Sequence, residues 1–148
     1  RSRRQRQMCI RDSCKTGSVK IDKLKKVEEY RDLFHYVTTI KGVIKNKMSN
    51  HDIISSLMPG GSVIGCPKIS TIQLLNRKEK FDRNIYTGSF GIIHSNGDMR
   101  FNIMIRTLLN FKNDIELSVA SGVILGSTAK KEYNENYIKA KSLLDLFN

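Results

Sequence analysis

Apolar residues change their spacing several times along this chain, and each change marks an element. Leu33, His35, Val37 and Thr39 alternate with Phe34, Tyr36, Thr38 and Ile40. β-Branched and aromatic residues dominate that run, which predicts a strand buried on both faces. Upstream, residues 15–21 (KTGSVKI) carry a glycine turn and then a short alternating stretch of strand character. Residues 49–58 (SNHDIISSLM) read as a short helix with Ser49 or Asn50 as its N-cap. Apolar residues in 69–75 (ISTIQLL) sit at helical spacing. After Lys80 the period becomes two. Residues 85–93 read as a strand, Asn96-Gly97 is a hairpin signal, and residues 99–109 form the return strand. A further strand is expected over roughly 115–124, and this meander places Tyr86 and Arg106 in an antiparallel sheet. Residues 131–147 form the clearest helix, with an apolar stripe of Tyr133, Tyr137, Ala140, Leu144 and Phe147.

Composition narrows the picture. A chain of 148 residues suits one domain, and 39% hydrophobic residues allow a core. No apolar run approaches the ~20 residues of a membrane span, and no secretory segment is visible. The formal charge of +12 points first to nucleic acid or another anionic surface. Much of it is N-terminal. Residues 3–12 (RRQRQMCIRD) match the conceptual translation of a transposon-type sequencing adapter, so residues 1–13 are set aside as non-native and 14–148 carry the fold. The other reading of that stretch is a basic arm. It holds five arginines and one aspartate, a net +4, which leaves +8 of the +12 on the remainder. Lysines spread in this way usually form a solvated face. The few aromatic residues show no RNA-binding signature, so a basic nucleic-acid-binding module rests on charge alone. Cys14 and Cys66 then make neither a metal pattern nor a disulfide framework, and the expected setting is a reducing cytoplasm.

Candidate chemistry centres on residues 58–68 (MPGGSVIGCPK), where three glycines and two prolines precede the helical spacing. A glycine-rich loop feeding a helix N-terminus offers backbone N–H groups to a carboxylate or phosphate; read without a ligand, it is a tight connection. Neither a Walker nor a Rossmann pattern is present. Lys68 either counters a carboxylate or is exposed on the first turn. His35 alone on a strand reads as a hydrogen-bonded structural residue. His51 and His94 fit no motif and are expected at the surface. Glu132, Glu135 and Lys139 share one helix face, which by spacing alone is a solvated ion-pair face. Arg106 on an apolar strand needs an anionic partner, either a ligand carboxylate or an internal salt bridge.

These stretches resemble the chorismate-utilising enzymes, the large subunits of anthranilate synthase and aminodeoxychorismate synthase. GGSVIGCPK is similar to the family loop Gly-Gly-Ser, two variable residues, then Gly-Ala-Pro-Lys, with Cys66 where alanine is usual. Residues 27–38 resemble Val-Glu-x-Tyr-Ser-His-Val-x-His-Leu-Val-Ser, and residues 97–107 (GDMRFNIMIRT) resemble Gly-Asp-Met-Asp-Phe-Asn-Ile-x-Ile-Arg-Thr. Residues 15–19 resemble a Lys-Pro-Gly-Ser-Val segment that usually follows an Arg-Asn-Asp motif. The adapter-like sequence stands in that motif's place, so the natural N-terminal half is expected to be missing and this polypeptide alone to be inactive.

The resemblance covers residues 15–147 and implies an α+β fold, antiparallel sheets packed with flanking helices. It implies His35 as the catalytic imidazole, assisting departure of the substrate hydroxyl. Ser62, Tyr86, Arg106, Lys139 and the backbone of Ala120, Ser121 and Gly122 are implied to bind substrate. Glu135 is implied as one of two carboxylates for Mg2+. The implied partners are chorismate and ammonia from a glutamine amidotransferase subunit, with no nucleic acid and no membrane. Three positions depart from the family pattern. Arg100 and Gly126 each replace an aspartate, and Ala120-Ser121-Gly122 stands where the family carries Gly-Ala-Gly or Gly-Gly-Gly. The Gly-Gly-Ser loop and the 97–107 hairpin favour the aminodeoxychorismate branch. Gln73 is common in the anthranilate branch, and the Pro67-Lys68 pair argues against the isochorismate one.

Overall fold

The computed structural model describes residues 10–30 and 33–147; the side chains of Leu33, His35 and Ser142 lie outside that description. The chain is α+β and divides into two units, one ending at Lys80 and the other beginning at Phe81.

In the first unit, β1 (Lys20–Tyr30) pairs antiparallel with β2 (Leu33–Lys41), Val27 facing Tyr36 and Glu28 facing His35. Register shifts between Ile21 and Lys26 interrupt the ladder, and Lys25 takes a left-handed φ of 47° there. The run 33–40 is a strand, as its alternation predicts, but it is not buried on both faces. Phe34 is 66% exposed and Tyr36 74%. The physical reason is that, among the described residues, β1 and β2 make a sheet of two strands, which has no third strand to extend it. Residues 15–19 form the turn before β1, with Gly17 at φ +77°.

Chain 10–18 packs on 42–45. Ser13 O accepts from Lys45 N at 3.0 Å, Val43 O from Lys15 N at 2.8 Å, and the Ser18 hydroxyl from Val43 N at 3.1 Å. Ser13 and Cys14 are buried there. Gly42 fits because a Cβ on it would meet Cys14 Sγ at 2.6 Å.

Helix α1 (Asn50–Leu57) begins at Ser49, which forms a capping box with Asp52. The Ser49 hydroxyl accepts from Asp52 N at 3.1 Å, and the Asp52 carboxylate accepts from Ser49 N at 3.1 Å. Those bonds, the Ser49 hydroxyl first, hold the Asp52 carboxyl below its ordinary pKa. The glycine loop does not run straight into the following helix. It makes one helical turn of its own, α2 (Gly61–Ile64), ended by Gly65 at φ +96°, and α3 (Lys68–Lys78) starts after Pro67. Lys68 Nζ donates to Ser55 O at 3.1 Å and also to Met58 O, so it closes the C-terminal carbonyls of α1.

The second unit holds two further hairpins and a long helix. β3 (Ser89–Ile93) pairs with β4 (Met99–Ile103), and β5 (Leu108–Asn110) pairs with β6 (Ile115–Leu117). The hairpin loop at Asn96-Gly97 is present, with Gly97 at φ +90° and Asp98 N donating to Asn96 Oδ1 at 3.0 Å. The expected continuous meander is broken in three places. Strand 85–93 begins only at Ser89, because Asn84 and Thr87 take left-handed φ values of 49° and 64° in a turn. The return strand 99–109 stops at Ile103 and resumes at Leu108, because Arg106 takes φ +50°. The third strand ends at Leu117 rather than 124. Tyr86 and Arg106 therefore lie in a turn and a bend, not in a sheet.

Helix α4 (Ala129–Leu144) follows N-cap Thr128 and ends in a 3₁₀ turn, Asp145–Phe147. Of its apolar stripe only Ala140 is buried, and Tyr133 and Tyr137 are largely exposed. Among the described residues no helix is long and apolar enough to cross a membrane.

Candidate functional site

The turn at 84–87 is held from both sides. Thr87 N donates to Met104 O at 2.8 Å, Met104 N to Gly88 O at 3.0 Å, and Arg83 Nη1 to the Thr87 hydroxyl at 3.1 Å. Thr87 is buried by these contacts. They set Ile85 and Tyr86 at one wall of an open hollow whose other walls are Met104, Thr107, Leu109, Glu116 and Ser118. Arg106, half-buried, stands in the bend between Met104 and Thr107. The sequence pattern placed Tyr86 and Arg106 in one antiparallel sheet; the structure puts them in a turn and a bend. Nor did it reveal Arg83 and Thr87, whose polar side chains carry no periodic signal.

Beyond β6, residues 118–122 run to α4, and two charged side chains of that helix meet them. Lys139 Nζ lies 2.6 Å from Glu135 Oε1 and 3.4 Å from Ala120 O. The Ser121 hydroxyl donates to Glu132 O at 3.5 Å. Ser121 and then Ser127 hydrogen-bond the Glu132 carboxyl and, against an opposing desolvation and with help from the Lys139 charge, hold its pKa below the ordinary glutamate range. The structure thus brings together Ala120, Ser121, Glu135 and Lys139, all expected from the sequence. It adds Glu132, whose i, i+3 spacing to Glu135 marked the face but not its contact with residue 121.

Ala120 and Ser121 narrow the backbone freedom that glycine would give, yet neither takes a left-handed φ, and Gly122 has open space around its missing side chain. The alanine and serine are accommodated without strain at this turn.

Mg2+ prefers oxygen ligands and commonly takes one or two protein carboxylates, completing its shell with water and substrate oxygens. Glu132 and Glu135, one helical turn apart, fit that donor chemistry, although Glu135 is engaged by Lys139. Among the described residues no group of three or more His, Cys, Asp or Glu side chains could enclose a metal.

The remaining candidates lie in the first unit. His35 stands on β2 opposite Glu28, and its side chain is outside the described set. Ser62 is exposed on the single turn α2. His51 and His94 are exposed, as expected.

Comparison with known proteins converges on one family. The model of the chorismate binding enzymes matches residues 8–145, a span that includes part of the segment set aside as adapter-like. An anthranilate synthase component I-like protein of Synechocystis is 34% identical over 131 residues, covering 88% of this chain and 27% of that protein. Aminodeoxychorismate synthase component 1 of Bacillus subtilis is 34% identical over 124 residues, covering 84% of this chain and 26% of that protein. The crystal structure of anthranilate synthase component I from Streptococcus pneumoniae aligns with a TM-score of 0.77 at 31% identity, covering 91% of this chain and 31% of that one. The chain spans about a quarter to a third of the length of these relatives.

Proposed function

The chain belongs to the chorismate binding enzymes, and from that premise we propose that the intact protein aminates chorismate to 4-amino-4-deoxychorismate. The observation that carries this reading is the cluster on α4, where Lys139 meets Ala120, Glu132 meets Ser121, and Glu135 pairs with Lys139. Main-chain N–H groups at such a turn suit a carboxylate. Lys139 supplies a positive charge that a second carboxylate draws toward itself, and its short bond to Glu135 is the one that must yield. Arg106 suits bidentate contact with a carboxylate through its planar guanidinium. Tyr86 offers a hydroxyl from the wall of the hollow it shares with Met104 and Ser118.

In this reading ammonia, delivered by a glutamine amidotransferase partner, replaces the ring hydroxyl, which leaves as water. His35 is the proposed proton donor to that hydroxyl. Mg2+, when bound by Glu135 with Glu132 beside it, supplies Lewis-acid stabilisation of the departing group. The chain's own residues bind and orient the two carboxylates.

A second reading, anthranilate synthesis, is favoured by Gln73 and by the anthranilate synthase relatives. Product identity separates the two. The full-length protein, given chorismate, ammonium and Mg2+, is expected to yield aminodeoxychorismate and no anthranilate. Arg106→Ala is expected to lower kcat/KM by roughly a hundredfold, about 3 kcal/mol, as for loss of one member of a charged hydrogen-bonded pair. Glu135→Ala is expected to raise the Mg2+ concentration needed for half-maximal rate. Unchanged kinetics in both variants would count against these roles.

A further inference from the structure

Among the described residues, residues 119–123 make no main-chain hydrogen bond with a neighbouring strand or helix. Their conformation rests on side chains. Two contacts come from α4: Lys139 Nζ to Ala120 O at 3.4 Å and Ser121 Oγ to Glu132 O at 3.5 Å. Just beyond the segment, Ile124 N donates to Ser127 Oγ at 3.0 Å. The Lys139 contact is contested, because the same ammonium makes a much shorter ion pair with Glu135 at 2.6 Å. Any ligand that draws Lys139 away removes it from Ala120. The Ser121 hydroxyl is half-buried between the turn and the helix, and both of its partners, Glu132 O at 3.5 Å and the Glu132 carboxyl, belong to one residue in the first turn of α4.

We propose that Ser121 is a positioning residue of the anion-binding turn: its hydroxyl ties residues 120–122 to the first turn of α4 and so fixes where the main-chain N–H groups of the turn point. The proposal rests on the reading that this turn receives a substrate carboxylate. A glycine at 121 would leave the turn free to bind by its own flexibility. Serine exchanges that freedom for a side-chain tie and lowers the ordering cost of binding. The Ser127 hydroxyl, bonded to Ile124 N, steadies the other end of the connection, so the effect of residue 121 stays local.

The test uses the 148-residue chain and its Ser121→Ala, Ser121→Gly and Ser121→Thr variants. Backbone ¹⁵N order parameters of residues 120–122 are measured together with chorismate affinity. In the alanine and glycine variants the order parameters are expected to fall from about 0.85 toward about 0.6. The dissociation constant for chorismate is expected to rise roughly tenfold, which corresponds to one lost hydrogen bond. Threonine, which keeps the hydroxyl, is expected to restore both. Retained amide shifts in β3, β4 and α4 distinguish a local effect from misfolding. Order parameters and affinity within twofold of wild type in the alanine variant would overturn the proposal, as would a threonine variant no better than alanine. If the wild-type chain binds no chorismate, the claim that this turn receives a substrate carboxylate in this chain fails, and the order parameters alone decide whether Ser121 orders the turn.

Discussion

At single residues the structure rests on a few close approaches that a substitution would disturb. Gly91 faces Phe101 across the β3–β4 hairpin, and a Cβ there would come within 2.0 Å of Arg100 O. The obstacle is backbone, so it cannot swing aside. Gly91→Ala is expected to cost about 1–3 kcal/mol, as overpacking does, read as a lowered denaturation midpoint in urea. A second residue-scale expectation concerns pH. The Glu132 carboxyl is held below its ordinary pKa by the Ser121 and Ser127 hydroxyls and the Lys139 charge. A depressed carboxyl pKa contributes stability that is present above the unfolded value and lost as pH falls through the folded one. The contact between α4 and its preceding turn is therefore expected to persist at neutral pH and loosen only in acid, below the ordinary glutamate range. A ¹³C carboxyl titration of Glu132 is expected to show a low midpoint that moves up in Ser121→Ala; an ordinary midpoint in wild type would contradict the assignment. Sequence alone marked Glu132 as one side of a charged helix face. It could not reveal the two serines, because nothing periodic links residues 121 and 127 to residue 132.

At the scale of elements, helices were readable and strand breaks were not. Helix α1 announced itself through Ser49, whose side chain accepts from Asp52 N. Ser49→Ala is expected to destabilise that helix by about 1 kcal/mol, measurable as a shift in thermal denaturation of the first unit. No change would mean that the capping box is dispensable. The glycine-rich loop was also evident, but not the extra turn α2 inside it. The strand over 99–109 looked continuous because its apolar alternation runs without a glycine or proline to interrupt it. Arg106 and Thr87 nevertheless take left-handed φ values, a conformation that non-glycine residues rarely adopt. The sequence carries no local warning where an arginine or a threonine does so. Hydrogen bonds such as Thr87 N to Met104 O, formed across seventeen positions, decide the outcome.

Across the whole molecule, pattern and packing diverge. Alternation of β-branched and aromatic residues predicted burial on both faces of β2, and Phe34 and Tyr36 are exposed instead. Periodicity reports which residues share a face; it does not report whether anything lies against that face. Each hairpin among the described residues is a sheet of only two strands, whereas the relatives are about three times as long as this chain. The family motifs were legible because they are short and local, and the family match over residues 8–145 bears out the assignment they gave. The most direct test of a chorismate site on the second unit is a ¹⁵N-labelled titration of the 148-residue chain with chorismate in the presence of Mg2+. The expected result is that the largest amide shifts fall at residues 120–122, at Tyr86 and Arg106, and on α4 from Glu132 to Lys139. Shifts confined to β1 and β2, or none at millimolar chorismate, would contradict it.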